Sequence, residues 1–236
     1  MNDQIIEVIR ANAAQEAPRE CCGVVIVVEG EYEYVPCRNQ SLLVDQFSLH
    51  PEDYADAADR GEIVAIAHSH VDQSPEPTQP DLIGCESSGL PWIIVNHPVG
   101  TVCQIEPTGY VLPLIGRTFY AGILDCYTLI RDYYQQELQI SLPDYPRSHG
   151  WEDRGENLYA DNFKDAGFVE VDTIVKHDVL LMKISANVID HGAVYIGDNT
   201  ILQHCTGHLS GRSIYGGHWQ KHTVKILRHK DLLCAT

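Results

Sequence analysis

Apolar positions that alternate between helical and strand spacing organise the first half of the chain. An apolar stripe with helical spacing predicts an amphipathic helix over residues 3–15, ended by Pro18. The β-branched run 22–28, a glycine turn and the alternating run 32–37 predict a hairpin. Further elements are predicted, in chain order, as a helix at 51–60, a strand at 63–67, a helix at 81–87, and strands at 92–96 and 101–105.

Prolines and glycines break this pattern between residues 106 and 122, and a differently built second half follows. Helical spacing predicts a helix over residues 125–138, whereas short β-like runs dominate beyond residue 173. The net charge changes at the same place, from −14 in the first half to −3 in the second. We therefore predict an α+β protein with two domains, residues 1–112 and residues 113–236.

Composition excludes several classes of partner. With 236 residues, 44% hydrophobic and 21% charged, the chain has the composition of a globular protein rather than a disordered one. The formal net charge of −17 opposes the phosphate neutralisation on which nucleic-acid binding depends, so no nucleic-acid partner is expected. The longest apolar runs are far shorter than the roughly 20 residues that cross a bilayer, so no transmembrane segment is expected.

The N-terminal residues and the cysteines predict a protein made in the cytosol. The first residues lack the basic stretch followed by an apolar core that marks a secretory signal. The eight cysteines include no C-x-x-C pair, and in a reducing compartment they are expected to remain free thiols.

Two histidines and two carboxylates form the first candidate site. His68 and His70 lie two residues apart at the end of a predicted strand, so both imidazoles point to one face and can bind one ion. Asp81, on the next predicted helix, can supply a third ligand, which leaves a fourth position for water as in a catalytic zinc site. Glu20, just before the strand at 22–28, can accept a proton from that water. This spacing occurs by chance in roughly one such sequence in twenty, so the spacing alone is moderate evidence.

The residues around these positions resemble the JAMM/MPN metallopeptidase motif. The run PRECCG at 18–23, the triplet HSH at 68–70, Thr78 and Asp81 carry the resemblance, which covers most of the first half of the chain. It implies a deaminase-like α/β domain in which the two histidines and the aspartate bind zinc. It also implies that Glu20 is the general base and that Thr78, in place of the usual serine, helps to hold the tetrahedral intermediate.

Cys126 is the candidate nucleophile of a second site. It opens the predicted helix, where backbone N–H groups and the helix dipole favour a thiolate, although a cysteine taken at random is more often a core residue. A cysteine peptidase also needs an imidazole to accept the thiol proton and a third group to orient that ring. His191 and His204 lie directly opposite each other if the turn between them is a two-residue loop at 197–198. A slip of one residue would place them on opposite faces. We therefore predict a triad of Cys126, His191 and His204.

Two runs in the second half resemble the NlpC-type cell-wall peptidases. The run LDCYTLIRDYY at 124–134 and the run HGAVYIGD at 191–198 carry the resemblance, which covers most of residues 113–210. It implies a papain-like fold, a triad of cysteine, histidine and a polar residue, and cleavage of peptidoglycan stem peptides. Tyr120 matches an aromatic residue that often lines the substrate site in this family. Tyr127 stands where many members have serine, a variant associated with phage tail proteins.

The order of the two domains is similar to that of tail tip proteins from lambda-like phages. This resemblance implies other tail tip proteins as partners, assembly in the host cytoplasm, and a final location at the virion tail tip. It also implies a peptidase that helps the tail to cross the cell wall, with zinc as the cofactor of the first domain. A structural tail tip component with silent peptidase domains is one alternative. A bacterial peptidase that removes ubiquitin-like modifiers is another.

Overall fold

The structure is a computed structural model that describes residues 3–147 and 150–233. The chain divides into two units, Met1–Val111 and Leu112–Thr236. Each unit has a sheet, helices and hydrophobic clusters of its own. The predicted α+β class with two domains is confirmed.

The first unit is built on a five-stranded sheet with helices on both faces. Its elements are α1 (Asp3–Glu16), β1 (Cys22–Val28), β2 (Glu31–Cys37), α2 (Pro51–Arg60), β3 (Glu62–Val71), α3 (Gln79–Ser88), β4 (Trp92–His97) and β5 (Val102–Ile105). The strand order is β2-β1-β3-β4-β5. Only the pair of β3 and β4 is parallel among these strands.

Alternate residues of the central strands face two separate cores, as the two-residue period of a strand requires. Val25 and Ile93 belong to the cluster that packs against Ile9 of α1. Val24 and Ile66 belong to the cluster that packs against α2 and α3. Because both faces are covered, the buried positions of the central strands are mostly apolar, and the polar side chains among them stand out.

β3 extends further than the sequence predicts and contains the triplet HSH at 68–70. His68 pairs with Cys22 of β1 on one side and with Ile94 of β4 on the other. The triplet therefore lies in the middle of the sheet, and His68, Ser69 and His70 are all buried. Buried histidines at this position need polar partners, which the structure provides.

The second unit is built on a six-stranded antiparallel sheet. Its elements are α4 (Cys126–Leu138), α5 (Leu158–Asn162), β6 (Phe168–Glu170), β7 (Val179–Met182), β8 (His191–Gly197), β9 (Thr200–Gln203), β10 (Gly211–Ile214), α6 (His218–His222) and β11 (Thr223–His229). The strand order is β10-β9-β8-β7-β11-β6. α4 buries Leu129, Ile130 and Tyr134 in a cluster with β7, β8 and β9, which fixes its first turn beside β8.

Two further expectations concern membranes and disulfides. None of the helices in the described ranges is long and apolar enough to cross a bilayer. The seven cysteines within those ranges are free thiols, and Cys234 lies outside them.

Candidate functional site

β3 and the start of α3 bring three ligand-type side chains to one point. His68 and His70 project from the same face of β3, and their Nε2 atoms are 3.2 Å apart. Asp81 of α3 faces both rings, with Oδ1 3.2 Å from His68 Nε2 and Oδ2 3.3 Å from His70 Nε2. The structure thus brings together the three ligands that the sequence predicts.

The surroundings of the two rings fit a shared cation. His70 Nδ1 lies 2.6 Å from the carbonyl oxygen of Ser74, so Nδ1 carries the proton and Nε2 keeps a lone pair. His68 stacks on Phe47 at a centroid distance of 4.4 Å, and its buried Nδ1 has no hydrogen-bond partner among the described residues. Acceptors that converge in a buried position need a shared proton or metal ion, and two imidazoles with a carboxylate suit zinc. The residues present therefore fit a zinc ion.

Burial and mutual contacts set the charges of the three groups. Burial alone would raise the pKa of Asp81, but hydrogen bonds with His68 and His70 hold that pKa below its usual range. Burial lowers the pKa of His68, and this effect outweighs the attraction of Asp81. At His70 the contacts with Asp81 and Ser74 outweigh burial, and the pKa rises. An ionised aspartate beside a neutral His68 is the state in which these groups would bind a metal.

Glu20 reaches this site from the loop between α1 and β1. Its neighbour Cys21 is anchored to β3, since the Cys21 N–H donates to Ser69 Oγ at 2.8 Å and the Ser69 N–H donates to the Cys21 carbonyl at 3.1 Å. Glu20 is 4% exposed, and its burial raises the pKa of the carboxyl to about 8, against the opposing charge of His70. Burial therefore favours the protonated carboxyl, and Glu20 can act as a general base only once it is ionised.

Thr78 forms the start of α3 and contacts Asp81 directly. Its N–H and its Oγ1 both donate to Asp81 Oδ2, each at 2.7 Å, and its Oγ1 accepts from the Asp81 N–H at 3.4 Å. These bonds form a capping box, which fixes the helix start and orients the carboxylate toward the histidines. The role of Thr78 toward a tetrahedral intermediate stays a prediction, because its hydroxyl proton is directed at Asp81.

Cys126 occupies the first turn of α4, next to the residue that caps the helix. The N-cap, Asp125, accepts from the Thr128 N–H through Oδ1 at 2.9 Å and from Arg147 Nε through Oδ2 at 2.8 Å. Arg147 also donates to Thr128 Oγ1 at 3.1 Å, and only 5% of its side chain is exposed. A buried guanidinium thus balances the carboxylate beside Cys126.

The Cys126 thiol is buried and contacts a phenol. Its Sγ lies 3.0 Å from Tyr159 Oη. Burial raises the pKa of the thiol to about 11, and the charge of Asp125 adds to this rise, while Tyr159 and Arg147 act against it. Within the described ranges Cys126 and His191 are not hydrogen-bonded to each other. The thiol at rest is therefore neutral.

His191 is oriented by an amide rather than by a second imidazole. Its Nε2 lies 3.1 Å from Gln203 Oε1, and Gln203 Nε2 donates to Ser213 Oγ at 2.9 Å. Because an amide oxygen only accepts, His191 Nε2 carries the proton and Nδ1 is left as the basic nitrogen. Cys205 Sγ, at 3.8 Å from His191 Nε2, is a second thiol beside the ring.

The prediction that His191 and His204 lie directly opposite each other is wrong. Ala193 pairs with Gln203, which places His204 one residue out of step with His191. A β-bulge just before the turn and a loop at 198–199 shift the register by one residue, and a one-residue shift exchanges the two faces of a strand. Gln203 therefore takes the place beside His191 that the sequence assigns to His204.

His204 is fully buried and packs against Phe119 with ring centroids 5.1 Å apart. Neither ring nitrogen has a hydrogen-bond partner in the part of the chain that the structure describes. Burial lowers the pKa of His204. His204 is a neutral ring at neutral pH.

One cavity joins the predicted members of the cysteine site. Cys126, His191 and His204 all line it, and its volume is about 140 Å³. Tyr120 is not part of the lining and instead pairs with Leu124 through two backbone hydrogen bonds, whereas its neighbour Phe119 faces the cavity. The assignment of Tyr120 to the substrate site stays a prediction.

Three residues of the cysteine site have no counterpart in the sequence analysis. Gln203 was missed because no local pattern marks the β-bulge that brings it to His191. Tyr159 and Arg147 come from the long connection between α4 and β6, where irregular spacing predicts no contacts. The length of this connection is the one sequence feature that could have drawn attention to Tyr159 and Arg147, because long loops in compact domains often serve a function.

Comparison with protein families gives the class of each unit. The model of prokaryotic homologues of the JAB domain matches residues 2–105, and the NlpC/P60 family model matches residues 116–228. The protein therefore consists of a JAB/MPN-like domain followed by an NlpC/P60 domain, in agreement with both resemblances.

Two curated relatives extend over most of the chain. Tail tip assembly protein K of Escherichia phage N15 is 41% identical over 236 residues, which cover 98% of this chain and 97% of the relative. Tail tip assembly protein K of Escherichia phage lambda is 37% identical over 184 residues, which cover 77% and 89%. The chain belongs to the tail tip assembly protein K family.

Proposed function

We propose that the protein is a phage tail tip protein with peptidase activity, and that its second domain is a cysteine endopeptidase that cuts the stem peptides of peptidoglycan. The observation that carries this proposal is the placement of Cys126 and His191 on one cavity, with His191 oriented by Gln203 at 3.1 Å. A nucleophile, a base and an orienting group are the three components that a cysteine peptidase requires.

Each residue of the cysteine site has one task in the proposed reaction. His191 takes the thiol proton at Nδ1, because its Nε2 already carries a proton that faces Gln203. Cys126 Sγ forms a bond to the carbonyl carbon of the scissile amide, and the π electrons of the carbonyl move to oxygen. The N–H groups in the first turn of α4 stabilise this oxyanion. His191 then protonates the leaving amine as the C–N bond breaks, and water releases the acyl group.

The first domain is proposed to be a zinc-dependent amide hydrolase. A zinc ion held by His68, His70 and Asp81 would supply an activated water and polarise a substrate carbonyl. Glu20, in its ionised form, takes a proton from the attacking water at the same site. Thr78 keeps the Asp81 carboxylate oriented. The proposed substrate of this domain is an amide in a tail protein, cut during assembly.

The relatives support a location in the phage tail. Both are named as tail tip assembly proteins. We place this protein at the virion tail tip, in contact with other tail tip proteins, after assembly in the host cytoplasm. There the cysteine domain would cut peptidoglycan on the path of the tail.

The test compares wild-type protein with Cys126→Ala, Cys205→Ala and Asp81→Asn on peptidoglycan that carries stem peptides. Released fragments are identified by mass spectrometry. Loss of cleavage in Cys126→Ala alone supports the proposal. Cys205→Ala is the matched control because its thiol also lies close to the His191 ring, at 3.8 Å. Loss of cleavage in Cys205→Ala with full activity in Cys126→Ala would assign the nucleophile to the other thiol.

A structural tail component with silent peptidase domains is the second candidate. The observation in its favour is the buried Cys126 thiol, whose pKa is raised by burial to about 11. Peptidoglycan left intact by every form, together with zinc bound by the wild type and lost in Asp81→Asn, would favour this candidate over the endopeptidase.

A further inference from the structure

Tyr159 of α5 is the side chain that contacts the Cys126 sulfur. Its Oη lies 3.0 Å from Sγ, and both residues are buried. The contact joins the nucleophile to the connection between α4 and β6, which is separate from the strand that carries His191. The sulfur therefore meets a hydroxyl donor that the proposed mechanism does not use.

The surrounding side chains hold the phenol in this place. The ring packs against Tyr127 and Trp151, with centroids 6.0 Å and 6.2 Å away. Gly192 of β8 leaves the space that the hydroxyl occupies, since a Cβ at this position would lie 2.9 Å from Tyr159 Oη and 2.8 Å from Ile130 Cδ1. The absence of a side chain at Gly192, between Ile130 of α4 and Tyr159 of α5, leaves the phenol room against the sulfur.

A buried thiolate needs a hydrogen-bond donor, which the phenol of Tyr159 can provide. Burial removes the water that would otherwise stabilise the negative sulfur, so the protein must supply hydrogen-bond donors instead. Burial also holds the pKa of Tyr159 well above its usual value, so the phenol keeps its proton. A protonated phenol can donate to sulfur in both states, and its bond to a charged acceptor is the stronger one.

Other charged and titratable groups line the same cavity and set the background for the test. They are Asp125, Arg147, Glu152, Asp190, His191 and His204, and the charges of Asp125 and Arg147 act on the Cys126 thiol. Asp190 is engaged elsewhere, because its carboxylate accepts from the N–H groups of Ile184, Ser185 and Ala186. Tyr159 differs from these groups because its side chain contacts Cys126 Sγ directly.

We propose that Tyr159 is a further catalytic residue of the cysteine site, whose phenol donates a hydrogen bond to the Cys126 sulfur and stabilises it as the thiolate. The thiol proton goes to His191, and the phenol keeps its own proton throughout. The role in peptide cleavage rests on the proposed endopeptidase function. The effect on the thiol itself does not, and it can be measured without any substrate.

The test measures alkylation of Cys126 by iodoacetamide as a function of pH, with the site of alkylation read by mass spectrometry of peptides. Tyr159→Phe removes one oxygen and keeps the ring. We expect the midpoint of the reactivity profile to move up by about one to two pH units. Tyr145→Phe is the matched control, because Tyr145 belongs to the same aromatic cluster but its hydroxyl donates to the Asn162 carbonyl, at 3.5 Å. Its profile should coincide with that of the wild type.

A second replacement keeps the test decisive if Tyr159→Phe does not fold. A fluorinated tyrosine at position 159 keeps the ring and the hydroxyl but makes the phenol a stronger donor, so the midpoint should move down. An unchanged midpoint in both proteins would overturn the proposal. Faster alkylation of Tyr159→Phe at neutral pH would also overturn it, because the phenol would then shield the thiol rather than activate it.

The alkylation assay separates this inference from the proposed function. A wild-type protein that cleaves no peptidoglycan while Tyr159→Phe shows the upward shift would refute the endopeptidase and leave the thiol–phenol pair in place. Cleavage of peptidoglycan by the wild type, with identical alkylation profiles for the wild type and Tyr159→Phe, would support the endopeptidase and refute the role of Tyr159. In a cleaving protein, we expect Tyr159→Phe to lower kcat about tenfold or more with little change in KM.

Discussion

The proposed chemistry of the cysteine site depends on which ring nitrogen of His191 carries the proton. Because Gln203 Oε1 accepts from His191 Nε2, we expect the Nε2–H form to predominate, which nitrogen-15 NMR of the imidazole can measure. Gln203→Leu should shift the tautomer ratio roughly fivefold toward Nδ1–H, the equivalent of about 1 kcal/mol.

Gln203→His is the matched rescue, since a histidine at this position can again accept the hydrogen bond. His204→Phe, which keeps a buried ring against Phe119, should leave the His191 tautomer unchanged. A tautomer that responds to His204→Phe and ignores Gln203→Leu would restore His204 as the orienting residue.

Glu20 gives the metal-free first domain a characteristic pH dependence. The pKa of its carboxyl is raised by burial from an ordinary 4.5 to about 8, so between these values the unfolded chain ionises and the folded one does not. The unfolded state then binds fewer protons, and stability falls as the pH rises from about 4.5 to 8. Glu20→Gln removes this loss of stability. The free energy of unfolding of the variant, relative to that of the wild type, should therefore rise on the order of 4 kcal/mol over the same pH range.

Chemical denaturation in a chelator at a series of pH values measures this advantage. Glu62→Gln, a change at an exposed carboxylate at the start of β3, is the matched control and should follow the wild type. Parallel curves for Glu20→Gln and the wild type would show that Glu20 is ionised in the folded protein at neutral pH.

Single residues were predictable from sequence where local spacing fixes geometry. His68 and His70 share a face because a strand repeats every two residues, and Asp81 follows at the start of the next helix. Gln203 and Tyr159 were not predictable, because each reaches its site through contacts between segments that are distant in the sequence. Spacing identifies ligands on one strand, whereas the partners of a catalytic side chain depend on packing.

At the start of α3, the bonds that cap the helix also orient a carboxylate of the proposed zinc site. Thr78 caps the helix and donates twice to Asp81 Oδ2. Thr78→Ala removes the hydroxyl, and we expect the domain to lose about 1 kcal/mol of stability. Because the Asp81 carboxylate also loses a donor that orients it, zinc affinity should fall roughly tenfold.

Thr78→Ser keeps the hydroxyl and is the matched control, with stability and zinc affinity close to those of the wild type. Thermal denaturation and competition with a zinc indicator give the two readouts. Unchanged zinc affinity in Thr78→Ala, at a lowered stability, would limit Thr78 to the capping role.

The hairpin of β8 and β9 shows that the sequence pattern predicts strands but not the register between them. The sequence predicts short strands in this region and a turn between His191 and His204, from alternation and turn residues. The pattern does not predict the register of the two strands. One bulged residue moves side chains to the opposite face of the sheet without changing the pattern of apolar positions. The strand that carries His191 was therefore predictable, but its partner was not.

The whole molecule consists of two units with separate cores, so each unit should respond alone to its own ligand. The clusters around Ile9 and around Val24 belong to the first unit, and those around Tyr134 and around Leu180 belong to the second. If zinc binds His68, His70 and Asp81 as proposed, it should stabilise only the folded state of the first unit.

Calorimetry of the full chain in zinc should therefore move one of two unfolding transitions. At a free zinc concentration of 100 times Kd the gain is about 2.7 kcal/mol, which for a domain of this size raises Tm by roughly 10 °C. Asp81→Asn keeps the shape of the side chain but weakens the ligand set, and its first transition should no longer respond. A zinc response that persists in Asp81→Asn, or that moves the transition of the cysteine domain, would place the metal at another site.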